Sequence, residues 1–572
     1  MPGVTYEHIV QFTPHGPVSM HVVVGPRPTG LYALKPVLSN GAITGRETVT
    51  SMEKRVASTA SVVGVNGDLF NWATGRPSGI FMHDRVLANP PYGDRSSVGI
   101  SDDGTLDVRR VEFFGTWQGT GQRRVLNDLN VPPTADGISL FTPDYGPATP
   151  KQAGVTEAVI EPMPAAAPNT DLVGPVVRVV TGGGGTAIPR DGAVLVARGT
   201  TAQRLAAEAP VDVTATVRLI FRPDWSDIAS AIGGGPVIVR DGGPVFRANE
   251  AFSADQLSPR NPRTAVGQMA DGRVILLVVD GREGGYSVGV TAWELAQTMV
   301  RLGAVTASAL DAGGSSTLAF DGQLLNRPSD PGGERPVSTA LMLMYYGIVA
   351  AQPTNPVVSP NGDGAGETQS LSYKVSRPSA VTETLVAPDG SDAFTQTVQR
   401  NPGRYKVAFP PSLVAPAPAS KARAKARQAI PEGRWQLSLS ATDDQGQTST
   451  ASQPFSVNDT LGFLKLSRAR YAYRPGGKLR LLFGATLTRP AHVKVTIETS
   501  TGVVVRTLAK RVFVPGRARW EWDGHTIGGK NYAFSGTYVV RVSATNGIGT
   551  TDLTKTFPVV RGTPAKQPKP RG

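Results

Sequence analysis

Three short stretches of this chain combine carboxylates, arginines and flexible backbone within residues 262–340: Asp280-Gly281-Arg282, Asp311-Ala312-Gly313-Gly314-Ser315-Ser316 and Asn326-Arg327-Pro328-Ser329. A carboxylate can stabilise a developing cation or take a proton from water. A guanidinium fork grips an oxyanion at two points. The N–H groups of residues 313–316, with two hydroxyls, can form a nest for an anion. The elements that carry them are readable. Arg273-Val274-Ile275-Leu276-Leu277-Val278-Val279 is a short β-branched run that reads as a strand buried on both faces, ending in Asp280 and Arg282. Thr291-Ala292-Trp293-Glu294 is a capping box, Leu295, Met299 and Leu302 follow at helical spacing, and Gly303 closes the helix. A second strand over residues 307–310 then delivers Asp311 into the glycine-rich turn. Asp280 and Asp311 also read as plain turn caps at strand ends.

Other motifs carry weaker chemistry. Gly313-Gly314-Ser315 lacks the later glycine of a nucleophile elbow, because Thr317 stands there, and the chain has six histidines, of which His83 alone lies near a motif. A Ser-His-Asp triad is therefore not expected. Thr181-Gly182-Gly183-Gly184-Gly185-Thr186 reads as a hairpin tip rather than a phosphate cradle, lacking the lysine and helix of a P-loop. Asn361, Asp363 and Glu367 lack the full EF-hand spacing, so an Asx turn is the expectation there. Absence of cysteine excludes disulfides and thiolate chemistry. No ligand cluster asks for a metal, and no cofactor is expected.

The motifs recur in a known order. Arg263-Thr264-Ala265-Val266-Gly267, Asp280-Gly281-Arg282, the segment from Asp311 to Thr317 and Asn326-Arg327-Pro328-Ser329-Asp330 resemble those of phosphodiester glycosidases. That family includes enzymes that remove N-acetylglucosamine from a phosphodiester, and exopolysaccharide-associated bacterial proteins. Upstream, Asn66-Gly67-Asp68-Leu69-Phe70, Pro77-Ser78-Gly79-Ile80 and Ala231-Ile232-Gly233-Gly234-Gly235-Pro236 are similar to further family motifs, extending the resemblance over residues 20–347. Asp68 and Ala312 stand where the family pattern has glycine.

The resemblance implies hydrolysis of a sugar-1-phosphodiester in a glycoconjugate, cell-wall polymer or exopolysaccharide. The departing phosphomonoester is a good leaving group, so charge stabilisation matters more than its protonation. Asp68, Asp280 and Asp311 are the candidate catalytic carboxylates, and which of them is nucleophile or base is left open. Asn66, Arg263, Arg282, Arg327, Gly313, Gly314, Ser315 and Ser316 are the candidate substrate and phosphate ligands. The alternative is a surface protein or adhesin that binds sugar phosphate or polysaccharide without turnover.

At 572 residues the chain needs several cores, and 65 glycines with 47 prolines favour turns and short strands. Its net charge of +13 is concentrated: Lys421, Arg423, Lys425 and Arg427 fall in one acid-free segment, Arg561, Lys566, Lys569 and Arg571 in another. Both read as solvated tethers suited to anionic wall polymers, and no nucleic-acid motif accompanies them. No apolar run is long enough to span a membrane, and no signal peptide is visible, although the resemblance implies an extracellular or surface-associated protein. After Pro353 the pattern alternates with period two, and residues 433–442 align with residues 536–545, both ending in Ser-Ala-Thr. These copies resemble the immunoglobulin-like module of the flagellar hook cap. The expected organisation is an α+β catalytic domain with mixed β-sheets (1–350), an immunoglobulin-like β-sandwich with a basic insertion near 414–430 (355–458), a second sandwich (460–560) and a disordered basic tail (561–572).

Overall fold

The apolar run is the strand Val274–Val279, and every residue in it is buried. In the computed structural model, which describes residues 1–246, 248–411 and 430–563, it lies inside a seven-stranded sheet. Residues 414–429 of the basic insertion and 564–572 of the tail lie outside the described residues, and Arg561, expected in the tail, ends the strand Thr550–Arg561. Two compact units divide the chain, Met1–Tyr346 and Gly347–Gly572.

In the first unit, Val274–Val279 is flanked by Gly16–Gly25 on one side and Arg263–Met269 on the other, and beyond the latter lies Ala304–Ala309. Alternate side chains divide between two cores. Val274, Leu276 and Val278 meet Val63, Val65, Leu341 and Leu343 of a second, five-stranded sheet. Ile275, Leu277 and Val279 meet Leu295 and Met299 of the helix Ala292–Arg301. Thr291 and Glu294 form the reciprocal capping box that starts this helix. A third sheet of eight strands surrounds Trp117, Leu195 and Leu219 in a separate core.

Two expectations need correction. Pairings in this unit are antiparallel except for one parallel pair, Asp128–Leu129 with Ile138–Phe141, among the described residues. The strands either side of the crossover helix do run the same way, but Arg263–Met269 is inserted between them and opposes both. The unit is mostly strand, with helices of at most ten residues. The glycine run at 182–185 is no hairpin tip: it carries the end of the strand Asp171–Gly184, where Gly182 pairs with Val155 and Gly184 with Lys151.

The second unit repeats one topology. A three-stranded and a five-stranded sheet make the first sandwich, and an identical strand arrangement, down to a parallel edge pairing, makes the next. Trp435 and Tyr538 occupy equivalent central strands, are both buried, and each donates to the carbonyl four residues earlier, Pro431 and Phe534. The loop at 361–367 is a run of Asx turns: Asn361 accepts from Asp363 N–H, and Asp363 from Ala365 N–H. Both Glu367 oxygens accept from Gly362 and Gly364 N–H.

Candidate functional site

Register brings the chemistry to one sheet edge. Arg263 pairs with Val279, and Ala265 with Ala309, so the first residue of the inserted strand lies between two neighbours that run on into Asp280 and Asp311. Two interstrand spacings put those neighbours about 10 Å apart. Asp280 and Asp311 therefore share an edge without forming a carboxylate pair.

Asp311 is fixed by its own loop and by the second sheet. Its backbone N–H donates to Gly67 O at 2.9 Å, and its carbonyl accepts from Asn66 Nδ2 at 2.8 Å. Asn66 Oδ1 accepts from Thr264 Oγ1 and Thr317 N–H at 2.7 and 3.1 Å. Asn66 is wholly buried and its amide is committed to three partners, Asp311, Thr264 and Thr317, so it brackets the two sheets instead of meeting substrate. The Asp311 carboxylate accepts from Ala312 N–H at 2.8 Å, and Ser315 also bonds it. Burial pushes this carboxyl up to about 6, opposed by those bonds and by Arg335 and Arg95.

Asp68 sits deeper. Its Oδ2 accepts from Gly79 N–H at 2.5 Å, and a Cβ on Gly233 would meet that oxygen at 2.3 Å. The carboxyl occupies a slot that only glycine leaves open. Burial, and then the charge of Asp311, push it up to about 7 against the pull of Gly79 N–H. Ala312 is extended (φ −120°, ψ −177°), a conformation open to any residue, so its departure from glycine strains nothing.

A cavity of about 210 Å³ opens in front of Asp311, walled also by Arg263, Arg282, Gly313, Asn261 and Asp255. Arg282 has left-handed backbone, φ 65°, and its Nε donates to Asn261 Oδ1 at 3.1 Å. Its guanidinium lies across Gly313, whose φ is +70° and where an added Cβ would come within 2.7 Å of Nη2. Arg263 serves differently from expectation. Its guanidinium donates to the carbonyls of Gln256, Leu257, Pro259 and Val290, and so ties one cavity wall in place. Burial and the neighbouring Arg282 lower its pKa to about 10.

Several expected ligands lie elsewhere. Asp280 does not line the cavity: its carboxylate takes His21 Nε2 at 3.0 Å, Tyr286 OH at 2.9 Å, Asn326 Nδ2 at 2.9 Å and Arg327 N–H at 3.2 Å. It is a buried hub that holds the 326–327 turn. Arg327 is directed to Glu283 at 2.8 Å and over the Tyr286 ring, outside the cavity lining. Gly314 backs onto the Asp330–Arg335 ion pair, and Ser315 Oγ accepts from Arg335 Nη1 at 3.3 Å. The Ser316 hydroxyl is buried without a hydrogen-bond partner.

Asp255, Asn261, Arg95 and Arg335 were not foreseen. Arg95 lies 4.7 Å over the Phe252 ring, and its charge reaches both Asp68 and Asp311. Arg335 sits in Glu334-Arg335-Pro336, which carries no motif, and Asp255 is the only added residue with a local signal, the Ser253 capping box that starts its short helix. No cluster of histidines and carboxylates among the described residues has metal-ligand geometry.

Comparisons with known proteins bear on this edge. The phosphodiester glycosidase family model matches residues 166–344, which include Arg263, Arg282 and Asp311 but not Asn66 or Asp68. The FlgD Ig-like domain model matches residues 474–547. An uncharacterized SPbeta prophage-derived protein, YomE, of Bacillus subtilis is 36% identical over 108 residues, 19% of this chain and 16% of that protein. The N-acetylglucosamine-1-phosphodiester alpha-N-acetylglucosaminidase of Bos taurus is 41% identical over 68 residues, 12% of each chain. The alignments thus span less than a fifth of either relative. A hypothetical protein from Synechocystis shares the fold, with a TM-score of 0.51 and 25% identity over 60% of this chain and 62% of that one.

Proposed function

We propose that the first unit is the catalytic domain and hydrolyses a glycosyl phosphodiester, releasing sugar and a phosphomonoester. The observation that carries this reading is the single cavity lined by both Asp311 and Arg282, with the Arg282 guanidinium lying against Gly313. The domain matched over residues 166–344 supports phosphodiester glycosidase chemistry in general. Arg282 is the ligand of the phosphate, because its planar fork meets two oxygens and its charge offsets the one that accumulates as the C–O bond to the anomeric carbon breaks. Asp311 is the carboxylate for the anomeric centre, as nucleophile or as base for water. Asp255 also lines this cavity and is the second carboxylate available to it among the described residues. Asp68, pushed up to about 7, is mostly protonated at the mildly acidic pH where Asp311 ionises, so that the buried edge does not hold two full negative charges there.

Asp280, Arg263 and Asn66 are positioning residues in this scheme. Cell-wall polymers and exopolysaccharides at the cell surface are the proposed setting, with the sandwiches as candidate wall contacts. The deciding experiment incubates the full chain with a panel of sugar-1-phosphodiesters and the matching simple glycosides. Turnover of a diester, lost on the order of a hundredfold in Asp311→Asn with unchanged circular dichroism, supports the assignment. A fully active Asp311→Asn, or equal turnover of phosphate-free glycosides, sinks it.

A further inference from the structure

A second, larger cavity of about 630 Å³ adjoins the first. Pro236, Phe252, Leu257 and Ala292 line both, so the two share one wall. The inner cavity, at about 210 Å³, is smaller than common ligand sites, whereas the outer falls in their usual range of about 300–1,000 Å³. A substrate seated at Asp311 therefore has room for one further group, and that group must pass along the shared wall.

The outer lining selects its occupant. Phe246, 70% exposed, meets Trp293 edge to face at 5.2 Å, and Val245, Ile238 and Phe252 extend the same surface. Among the described residues Glu250 is the one carboxylate in this lining, and it is already occupied: it accepts from Ser96 N–H, Ser96 Oγ and Val237 N–H at 2.8, 2.7 and 2.9 Å. Thr291 is committed to its helix cap. Among the described residues Asn249 and Ser258 are the remaining polar side chains of the lining, both exposed, and a polar second sugar would meet these two on an otherwise apolar surface. An apolar chain would bury itself against Phe246, Trp293, Val245, Ile238 and Phe252 without breaking the bonds of Glu250 or Thr291.

We infer that the outer cavity is the subsite for the aglycone of the phosphodiester and that it takes an apolar group, alkyl or aromatic, esterified to the phosphate. This rests on the activity proposed above. The inner site then holds the sugar and the phosphate, and the outer site confers selectivity by removing the aglycone from water.

The test uses the full chain and a matched series of sugar-1-phosphodiesters carrying methyl, butyl, octyl, phenyl or glucosyl as the second ester, with the sugar of the best substrate. Each buried methylene is worth up to about fourfold. The ratio of kcat/KM for octyl over methyl should exceed about tenfold, and Phe246→Ser and Trp293→Ala should each cut that ratio severalfold. Equal kcat/KM across methyl, butyl and octyl, or a glucosyl ester ahead of octyl, overturns the inference and leaves the hydrolase reading standing. If no diester is turned over, the hydrolase reading falls, and calorimetry with octyl phosphate against methyl phosphate still decides the subsite. Tighter binding of octyl phosphate that Phe246→Ser abolishes supports it; equal binding of the two rejects it.

Discussion

Asp311 and Asp68 are both lifted by burial, and the sign of each effect follows. Hydrolysis needs Asp311 ionised, so kcat/KM should rise with pH through about 6, leaving about a tenth of the plateau at pH 5. A pH profile flat between 4.5 and 7 would remove Asp311 from the chemistry. Asp68 binds its proton more tightly folded, at about 7, than in the unfolded chain near 3.8. Its stabilising contribution is therefore full below about pH 4 and is lost as pH climbs through about 7. Asp68→Asn should accordingly melt with a smaller drop in Tm between pH 6 and 8.5 than the native chain, a difference that scanning calorimetry resolves. Sequence made Asp311 and Arg282 legible because both stand at ends of patterned elements. It could not separate Asp280 from them: the His21 and Tyr286 bonds that occupy its carboxylate come from residues 259 and six positions away. Nor does any local pattern reveal that Arg263 spends its fork on backbone carbonyls.

At the scale of elements, the helix Ala292–Arg301 was readable almost to the residue, since its cap, apolar stripe and terminal glycine are all local signals. Thr291→Ala should cost about 1 kcal/mol, read from urea denaturation, by freeing the Glu294 N–H. Sheet order was not readable, because pairing depends on which strand enters between two others, and apolar runs such as Val274–Val279 fit either neighbour. The turn after Ala304–Ala309 is the most exacting piece. A Cβ on Gly314 would come within 2.0 Å of both Arg335 Nη2 and Asp330 Oδ1. Gly314→Ala should part that ion pair, release Ser315 from Arg335, and lower both stability and turnover; a variant with native kcat would show that the turn has slack.

Over the whole molecule, the repeat was legible because two copies of one topology keep their central strand and its Ser-Ala-Thr ending. The division between Met1–Tyr346 and Gly347–Gly572 predicts that limited proteolysis near residues 347–356 releases a folded N-terminal fragment. That fragment should hydrolyse a soluble diester with kcat/KM within about twofold of the full chain; unfolding on cleavage would refute independence. Arg282 carries a final consequence. A non-glycine residue in left-handed backbone is destabilised by about 1–2 kcal/mol, part of which glycine recovers. Arg282→Gly should therefore melt no earlier than the native chain while losing its grip on phosphate. Directed evolution for heat resistance alone would drift toward that exchange, so any campaign to harden this protein has to select for turnover in every round.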